Sequence, residues 1–239
     1  MSEPLLRVAG VSKHFGGFTA LSEVNIDLAE GERFGLIGPN GSGKTTLINC
    51  ISGALRNDGG SIRFRGEEIS TLPAYQRTRR GIARSFQIPR PFHSMTVLEN
   101  LLVPSAYVIH LKDEEGEVKA MEILRGMGLA ERARSPANQL SQVELRKLEL
   151  ARAMAARPKL LISDEAMAGL AGAEVDEVLQ ILFKLNEQGI TIIMIEHIMQ
   201  AVMRFSQRVV CLDAGKIICE GAPAQIVANP DVQKAYLGA

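Results

Sequence analysis

The sequence predicts an α/β fold: a doubly wound core of mainly parallel strands, a small antiparallel sheet, and a helical lobe inserted into the core. Three observations predict it. Short β patterns and turns fill the first sixty-odd residues, the apolar spacing becomes helical from Met95, and strands alternate with helices after Pro158. The length of 239 residues suits one compact unit with a subsidiary lobe.

The N-terminal part is predicted to be mostly β-structure. Four short apolar runs are bounded by turn residues, at Leu5–Val8, Val24–Leu28, Arg33–Ile37 and Ser61–Phe64. The first, second and last of these runs are predicted to form the antiparallel sheet. The third is predicted to be a short buried strand.

A glycine-rich loop follows that buried strand. Residues 38–45 read Gly-Pro-Asn-Gly-Ser-Gly-Lys-Thr, a match to G-x-x-x-x-G-K-S/T, and Thr46–Ile51 then opens a helix. Glycines let successive N–H groups converge on phosphate oxygens, and a helix start attracts anions. Lys44 would then hold the β- and γ-phosphates, and Thr45 would offer its hydroxyl to Mg²⁺. The alternative is a glycine-rich turn with an accidental match, which the flanking strand and helix disfavour.

The middle of the chain is predicted to be helical. Three helical patterns occupy it: Thr96–Val103, Glu115–Met127 and Val143–Ala156. Pro104 is predicted to end the first of them. Residues 91–156 are therefore predicted to be the inserted lobe, and residues 1–90 and 157–239 the core of a single domain covering 1–239.

The C-terminal part is predicted to alternate strand and helix. The predicted elements are strand Lys159–Ser163, helix Glu174–Gln188, strand Ile190–Ile195, helix His197–Phe205 and strand Arg208–Leu212. Such nearly continuous apolar strands are typical of a parallel sheet covered on both faces. This pattern predicts the doubly wound core.

Two adjacent acids, Asp164 and Glu165, follow the first of these strands. Open α/β sheets place ligands at the carboxyl ends of their strands, and two carboxylates there are costly without a cation. Asp164 would hold Mg²⁺ and Glu165 would polarise the water that attacks the γ-phosphate. An acid pair that merely opens a turn is the alternative.

Three further residues are candidates because of their positions. His197 follows a core strand and would reach the same edge of the sheet, although a histidine that only starts a helix is the alternative. Gln87 ends a short strand before the helical lobe, where its amide could ligate Mg²⁺ or the water. Phe15 could stack on adenine, or could simply pack in a turn.

Composition limits the possible partners. The 27 basic and 27 acidic side chains cancel, so we expect no nucleic-acid partner. Three cysteines without metal-type spacing indicate a reducing cytoplasm. We find no export signal and no apolar run near the roughly 20 residues that span a bilayer. A single phosphate loop suggests that any mechanism with two nucleotide sites needs a second chain.

The order of these motifs resembles the nucleotide-binding subunit of an ABC transporter over essentially the whole chain. The resemblance implies a P-loop NTPase (RecA-like) core, with ATP and Mg²⁺ as cofactors. It assigns Ala168-Gly169-Leu170 to the D-loop, Gln87 to the Q-loop and His197 to the switch. The implied ATP-binding residues are Phe15, Gly38, Pro39, Asn40, Gly41, Ser42, Gly43, Lys44, Thr45, Thr46 and Ser141; the implied catalytic residues are Glu165, His197 and Gln87; and the implied Mg²⁺ ligands are Thr45, Gln87 and Asp164.

Within that family the chain resembles the ATPases of branched-chain amino-acid importers, most closely the LivG type. The segments that carry this resemblance are residues 81–87, 95–101, 195–197 and 232–238. It implies a second ATPase subunit in a homo- or heterodimer, a transmembrane permease and, indirectly, a substrate-binding protein. The implied location is the cytoplasmic face of the inner membrane. We expect the permease to contact the lobe around Gln87–Val97.

The family signature LSGGQ is altered here to Leu-Ser-Gln-Val-Glu, residues 140–144. Val143 stands where backbone approaches phosphate, and it adds bulk. Ser141 and Glu144 form a capping-box pattern that can still start a helix. We therefore expect a weakened γ-phosphate clasp, and a heterodimer with one strong and one weak ATP site.

Four functions are compatible with these motifs. The leading one is Mg²⁺-dependent ATP hydrolysis that drives an amino-acid permease. A nucleotide-binding subunit with a regulatory or structural role is the main alternative. A soluble ABC protein acting on DNA or ribosomes lacks support from charge or insertions. An ATPase of a lipopolysaccharide exporter would differ mainly in its membrane partner.

Overall fold

Two sheets organise the chain. The computed structural model describes residues 3–86, 88–111 and 113–237. The strands in these residues are β1 (Leu6–Phe15), β2 (Phe18–Leu28), β3 (Arg33–Ile37), β4 (Gly59–Phe64), β5 (Glu67–Glu68), β6 (Ile82–Ser85), β7 (Leu160–Asp164), β8 (Thr191–Ile195), β9 (Arg208–Asp213) and β10 (Lys216–Gly221). The helices are α1 (Lys44–Ser52), α2 (Ala74–Arg79), α3 (Val97–Pro104), α4 (Asp113–Gly126), α5 (Gln142–Met154), α6 (Gly172–Glu187), α7 (Met199–Phe205), α8 (Pro223–Ala228) and α9 (Pro230–Leu237).

The smaller sheet is antiparallel, in the order β2-β1-β4-β5. This confirms the predicted antiparallel sheet. Strands β1 and β2 are longer than predicted because they form a hairpin in which Phe15 pairs with Phe18 across two glycines. Backbone pairing there does not need the apolar alternation on which the sequence prediction relied.

The larger sheet has the order β10-β9-β3-β8-β7-β6. Its strands are parallel except for β10, which pairs antiparallel with β9 at the edge. Strands β7 and β8 are buried along their whole length, as expected for a sheet covered on both faces. The predicted α/β fold is confirmed, and strands β3, β8 and β7 lie side by side at its centre.

Two apolar cores lie on the two faces of this sheet. One combines α1, through Leu47, Ile48 and Ile51, with residues of both sheets. The other combines the helices that follow residue 96 with the opposite face. Gly35 on β3 allows close approach of α7 there, since a Cβ at this position would lie 2.6 Å from the Ser206 Oγ.

The middle section is helical as predicted, with one correction. Helix α3 starts with a capping box in which Thr96 accepts from the Glu99 N–H and donates its own N–H to the Glu99 carboxylate. Pro104 does not stop the helical path. It is the last residue of α3, and the chain continues as a π-helical turn, Ser105–Ile109. The wider turn accommodates the proline, which cannot donate a backbone hydrogen bond.

Two further predictions need correction. The helix predicted for His197–Phe205 begins at Met199, so His197 lies in the connection after β8. Five elements, α2, β5, β10, α8 and α9, were not predicted, because short segments carry weak periodicity. In the part of the chain that the structure describes, no helix combines the length and hydropathy needed to cross a bilayer.

Candidate active site

Three neighbouring strands bring the predicted site residues to one edge of the parallel sheet. The carboxyl end of β3 leads into the glycine loop, that of β8 towards His197, and that of β7 into Asp164 and Glu165. The strand ends are level, because Ile195 pairs with Leu36 on one side and with Asp164 on the other. This is the edge at which open α/β sheets bind their ligands.

The loop between β3 and α1 has a backbone that requires glycine. Gly38 and Gly43 have φ angles of 150° and 106°. A Cβ would lie 2.2 Å from the Leu212 carbonyl oxygen at Gly38 and 2.7 Å from the Ala20 carbonyl oxygen at Gly43. Helix α1 starts without a side-chain cap, so its first N–H groups are left for a ligand. The predicted anion cradle is therefore present.

A cleft of about 290 Å³ lies over this loop. It brings together residues from four parts of the sequence. Its lining residues are Phe15, Phe18, Ala20, Asn40, Gly41, Ser42, Gly43, Lys44, Thr45, Thr46, Glu165 and His197. Ten of the predicted site residues thus share one cavity, whereas Gly38 and Pro39 form the loop entrance from β3.

The Lys44 ammonium is held by the loop itself. Its Nζ donates to the carbonyl oxygens of Gly38 (2.7 Å) and Pro39 (3.0 Å). Burial lowers the pKa of Lys44, and the nearby Glu165 and Asp164 carboxylates oppose that shift. The cation is thus placed beneath the cleft, with carbonyl partners that a phosphate can replace.

Glu165 and His197 form a direct pair at the cleft. The His197 Nε2 lies 2.9 Å from the Glu165 Oε1. Glu165 has a φ of 49°, a conformation uncommon for a residue with a side chain, and its N–H donates to the Ile195 carbonyl oxygen at 2.8 Å. The end of β8 therefore fixes both residues, which the sequence separates by 32 positions.

Asp164 has a cationic partner that the sequence analysis missed. The Arg84 Nη2 and Nε lie 2.5 Å and 3.1 Å from the Asp164 Oδ2, and the Arg84 Nη1 donates to the Asn49 Oδ1 at 2.7 Å. Both side chains of the ion pair are nearly buried. Arg84 lies on β6, next to β7, and only that strand neighbourhood could have pointed to it.

The donors at this edge fit Mg²⁺ bound together with a nucleotide. Asp164 and Thr45 offer the hard oxygen ligands that Mg²⁺ prefers. The Asp164 carboxylate already accommodates positive charge. Within the described residues no group of three or more His, Cys, Asp or Glu side chains could hold a metal ion. In P-loop proteins, phosphate oxygens of the nucleotide complete the coordination of such an ion.

Glu196 is a second residue at this edge to which the sequence pattern assigns no role. It is 2 % exposed, and its Oε1 accepts from the Met167 N–H at 2.9 Å. Burial, together with the charge of Glu165, raises the pKa of Glu196 to about 7, although the Met167 hydrogen bond opposes this shift. Through its hydrogen bond with Met167, Glu196 joins the connection that carries His197 to the loop after Glu165.

Phe15, for which adenine stacking is predicted, lines the cleft. Phe15 is 49 % exposed and its ring faces the cleft mouth, with the Lys13 Nζ 5.5 Å from the ring centroid. Phe18, which pairs with Phe15 across the hairpin, lines the same mouth and was not predicted. Both rings offer a stacking surface for a base.

The altered signature lies elsewhere on the chain. Ser141 caps α5: its Oγ accepts from the Glu144 N–H at 3.3 Å, and its own N–H donates to the Glu144 Oε2 at 2.8 Å. The predicted capping box is confirmed. The Glu144 carboxylate also contacts the Arg132 Nε at 3.0 Å, and these hydrogen bonds lower its pKa. Ser141 is not among the described residues around the cleft, and Gln87 lies outside the described residues.

The C-terminal helix also reaches the glycine loop. The Gly38 N–H donates to the Tyr236 hydroxyl at 2.8 Å. Burial raises the pKa of Tyr236 to about 12. Nothing local in the sequence places residue 236 beside residue 38.

Parallel strands, a glycine loop ahead of a helix, a buried lysine and two strand-end acids define a nucleoside-triphosphate-binding P-loop protein. A family model described as "ABC transporter" matches residues 21–168. A second, described as "Branched-chain amino acid ATP-binding cassette transporter", matches residues 216–239.

Curated relatives cover the whole chain. It is 40 % identical over 253 residues to the high-affinity branched-chain amino acid transport ATP-binding protein BraF of Pseudomonas aeruginosa, covering 100 % of this chain and 99 % of that protein. It is 39 % identical, with the same coverage, to LivG of Escherichia coli, which carries the same description.

Solved structures of ABC transporter cassettes superpose on this chain. An ATP-binding cassette of an ABC transporter in its ADP conformation superposes with a TM-score of 0.91 at 33 % identity over 100 % of both chains. A dimeric cassette bound to ADP and Pi, in a post-hydrolysis state, gives a TM-score of 0.82 at 27 % identity over 91 % of this chain and 98 % of that one. The chain belongs to the ABC transporter ATP-binding family, and its resemblance to the LivG type is confirmed. It is an ATPase of that family.

Proposed function

We propose that this chain is the ATP-hydrolysing subunit of an importer for branched-chain or related amino acids, which closes as a dimer on Mg²⁺-ATP to drive a permease. The observation that carries this proposal is the Glu165–His197 pair at the mouth of the phosphate cleft. The substrate class comes from the relatives, which are named for branched-chain amino acid transport.

Each of the cleft residues has a separate role in the proposed hydrolysis. The N–H groups of the glycine loop and the Lys44 ammonium hold the phosphates. The Glu165 carboxylate accepts a proton from the water while the water oxygen attacks the γ-phosphorus. The oxygen that bridges to the β-phosphate leaves with the electron pair of the broken bond. His197 holds the Glu165 carboxylate in place through the contact at its Nε2. Phe15 stacks on the adenine.

Thr45 and Asp164, with Gln87 as a further ligand, would hold Mg²⁺, which would supply positive charge against the phosphates when bound. Gln87 would act both at the metal and beside the water. Its assignment rests on its place in the sequence, directly after β6 and Phe86.

The permease contact lies in a groove beside the helical section. This groove, of about 390 Å³, is mostly apolar and is lined by β6, α2, α3, the π-helical turn and α5. Phe86 and Phe92 line it and are 51 % and 41 % exposed. The predicted contact region around Gln87–Val97 thus borders a surface that suits an apolar permease segment. An ATPase bound there is peripheral, on the cytoplasmic face of the inner membrane, and works with a substrate-binding protein on the other side.

Two nucleotide sites need a second ATPase subunit, either another copy or a different chain. The relative solved as a dimer supports this arrangement. In such a dimer the N-terminus of α5, with Ser141 at its cap, faces the partner's nucleotide. The Glu144 carboxylate is already bonded to the cap and to Arg132, which reduces its repulsion of a phosphate. A weakened clasp is therefore compatible with hydrolysis.

The first test is Mg²⁺-ATP hydrolysis by the purified chain, with Glu165→Gln as the control. We expect turnover that disappears in the control while ATP binding persists. Co-purification with tagged permeases then decides the partner. Recovery with an amino-acid permease supports import, and recovery with a lipopolysaccharide exporter overturns it. ATP binding without turnover, even with a second ATPase and a permease present, would leave only the regulatory role.

A further inference from the structure

Arg84 occupies a position between the two surfaces described above. Its guanidinium contacts Asp164, the carboxylate assigned to the metal, through Nη2 and Nε. The same side chain lines the apolar groove, where the Arg84 Cζ lies 5.3 Å from the ring centroid of Phe86. The Arg84 guanidinium therefore lies between the catalytic edge of the sheet and the groove.

The ion pair meets a need of Asp164 in the absence of a metal. The Asp164 side chain is 9 % exposed and that of Arg84 is 12 % exposed, so neither charge is well hydrated. A buried carboxylate without a cation is strongly unfavourable. Asn49 on α1 holds the guanidinium in place from the other side, at 2.7 Å. Helix α1, β6 and β7 are joined through this one side chain.

A divalent cation at Asp164 changes that balance. Both Arg84 contacts go to the same oxygen, Oδ2. A metal ion near this carboxylate repels the guanidinium and supplies the charge that the carboxylate needs. The guanidinium then loses its main partner, and its contact with the Phe86 ring changes with it.

We propose that Arg84 is a positioning residue that links the metal at Asp164 to the groove: it neutralises Asp164 when no metal is bound, and its contact with the Phe86 ring changes when Mg²⁺ arrives with the nucleotide. The linkage is reciprocal, so an occupant of the groove that displaces Phe86 changes Mg²⁺-nucleotide affinity. The assignment of that occupant to a permease rests on the proposed function, whereas the link between Asp164 and Phe86 does not.

The first measurement is the affinity for a fluorescent ATP analogue with and without Mg²⁺, in the Glu165→Gln background to prevent turnover. The quantity of interest is the ratio of the two dissociation constants. We expect Arg84→Gln to increase the Mg²⁺ gain, the ratio of the dissociation constant without Mg²⁺ to that with Mg²⁺, about tenfold. An unpaired Asp164 disfavours binding of metal-free nucleotide, and it binds the metal without competition from the guanidinium. Arg84→Lys keeps the charge and should restore most of the parental ratio. Arg63→Gln, an equal charge change on β4, should leave the ratio unchanged.

The second measurement reports on the groove. The chain contains no tryptophan, so Phe86→Trp introduces a single fluorophore beside Arg84. We expect its emission to shift when Mg²⁺ is added to the ADP-bound chain, and this shift to be lost in Phe86→Trp/Arg84→Gln. Thermal melts confirm that each variant is folded, and Arg84→Met, which also lacks the charge, replaces Arg84→Gln where that variant is unstable.

Two results would overturn the proposal. A smaller or unchanged Mg²⁺ gain in Arg84→Gln would mean that Arg84 orients Asp164 towards the metal or has no influence on it. An emission shift that persists without Arg84 would mean that another route links the metal to Phe86. Neither measurement needs hydrolysis or a permease, so a failure of the proposed transport function would leave both readouts intact.

Discussion

The His197 Nε2 and the Glu165 Oε1 lie 2.9 Å apart at the mouth of the phosphate cleft. The Glu165 side chain is mostly buried and that of His197 is half exposed. A base must be held close to its water, and a hydrogen bond from a fixed neighbour is an effective way to hold it. In the proposed mechanism the pair therefore acts as a preassembled site for proton transfer.

We predict that His197→Ala lowers ATP turnover about 10²- to 10⁴-fold, the usual range for loss of a group that assists proton transfer. ATP affinity should change little, because the loop and Lys44 hold the phosphates. Steady-state kinetics and analogue binding separate the two effects. A variant that keeps near-parental turnover would exclude His197 from the chemistry, and Glu165→Gln supplies the inactive reference.

The second prediction concerns the altered signature. In an assembled heterodimer, the Glu165→Gln substitution in this chain leaves turnover only at the partner's ATP site, to which this chain contributes its signature. In that background Val143→Gly with Glu144→Gln should raise turnover several-fold, because the backbone at the N-terminus of α5 can approach the phosphate more closely. Glutamine at 144 can still complete the capping box, so α5 should remain folded.

Inactivating the partner's own catalytic glutamate is the control for that gain. The increase should then vanish, since no competent site is left. If the double substitution gives no increase while the partner is active, the Gln142-Val143-Glu144 signature is already sufficient. The two sites would then be of similar strength.

The sequence predicted those parts of the site that local patterns encode. The glycine loop, Asp164 and Glu165 each follow a recognisable buried strand, and parallel strands bring such ends together. The connection around His197 was misread as helix, because its apolar neighbours carry helical spacing. In the structure, Glu196 is bonded to the Met167 N–H and His197 to Glu165, and both contacts hold this segment out of the helix.

Other parts of the site depend on contacts that no local pattern reveals. Arg84 reads as an ordinary polar residue until β6 is placed beside β7, which puts its side chain on Asp164. The hydrogen bond between Gly38 and Tyr236 spans nearly the whole chain. Such contacts follow from strand order, and strand order was not part of the prediction.

The third prediction is a pH dependence of stability at Glu196. Its pKa rises from an ordinary value of 4.5 to about 7 in the folded chain. Between these values the folded state keeps a proton that the unfolded chain has released. Stability should therefore fall as pH rises through this window, and the full cost should remain above pH 7.

Glu196→Gln tests this directly. It removes the charge and keeps an oxygen that can accept from the Met167 N–H. At pH 8 the variant should be more stable than the parent by about 1–3 kcal/mol, and the difference should shrink towards pH 4.5. Thermal melts at several pH values give the comparison. A difference independent of pH would mean that Glu196 does not titrate between these values. The positive charge of Arg146, which lowers the pKa of Glu196, would then hold the carboxylate charged.

The fourth prediction concerns Tyr236, in the C-terminal segment that matches the branched-chain amino acid transporter model. Its hydroxyl accepts from the Gly38 N–H, where the phosphate loop leaves β3. Tyr236→Phe keeps the ring and removes this acceptor, so the loop should lose a tether worth about 1 kcal/mol. We expect ATP-analogue affinity to fall about three- to tenfold, with turnover at saturating ATP nearly unchanged. Tyr75→Phe, at an exposed tyrosine of α2, is the matched control. Equal affinities for the Tyr236→Phe and Tyr75→Phe variants would show that the C-terminal helix packs near the loop without positioning it.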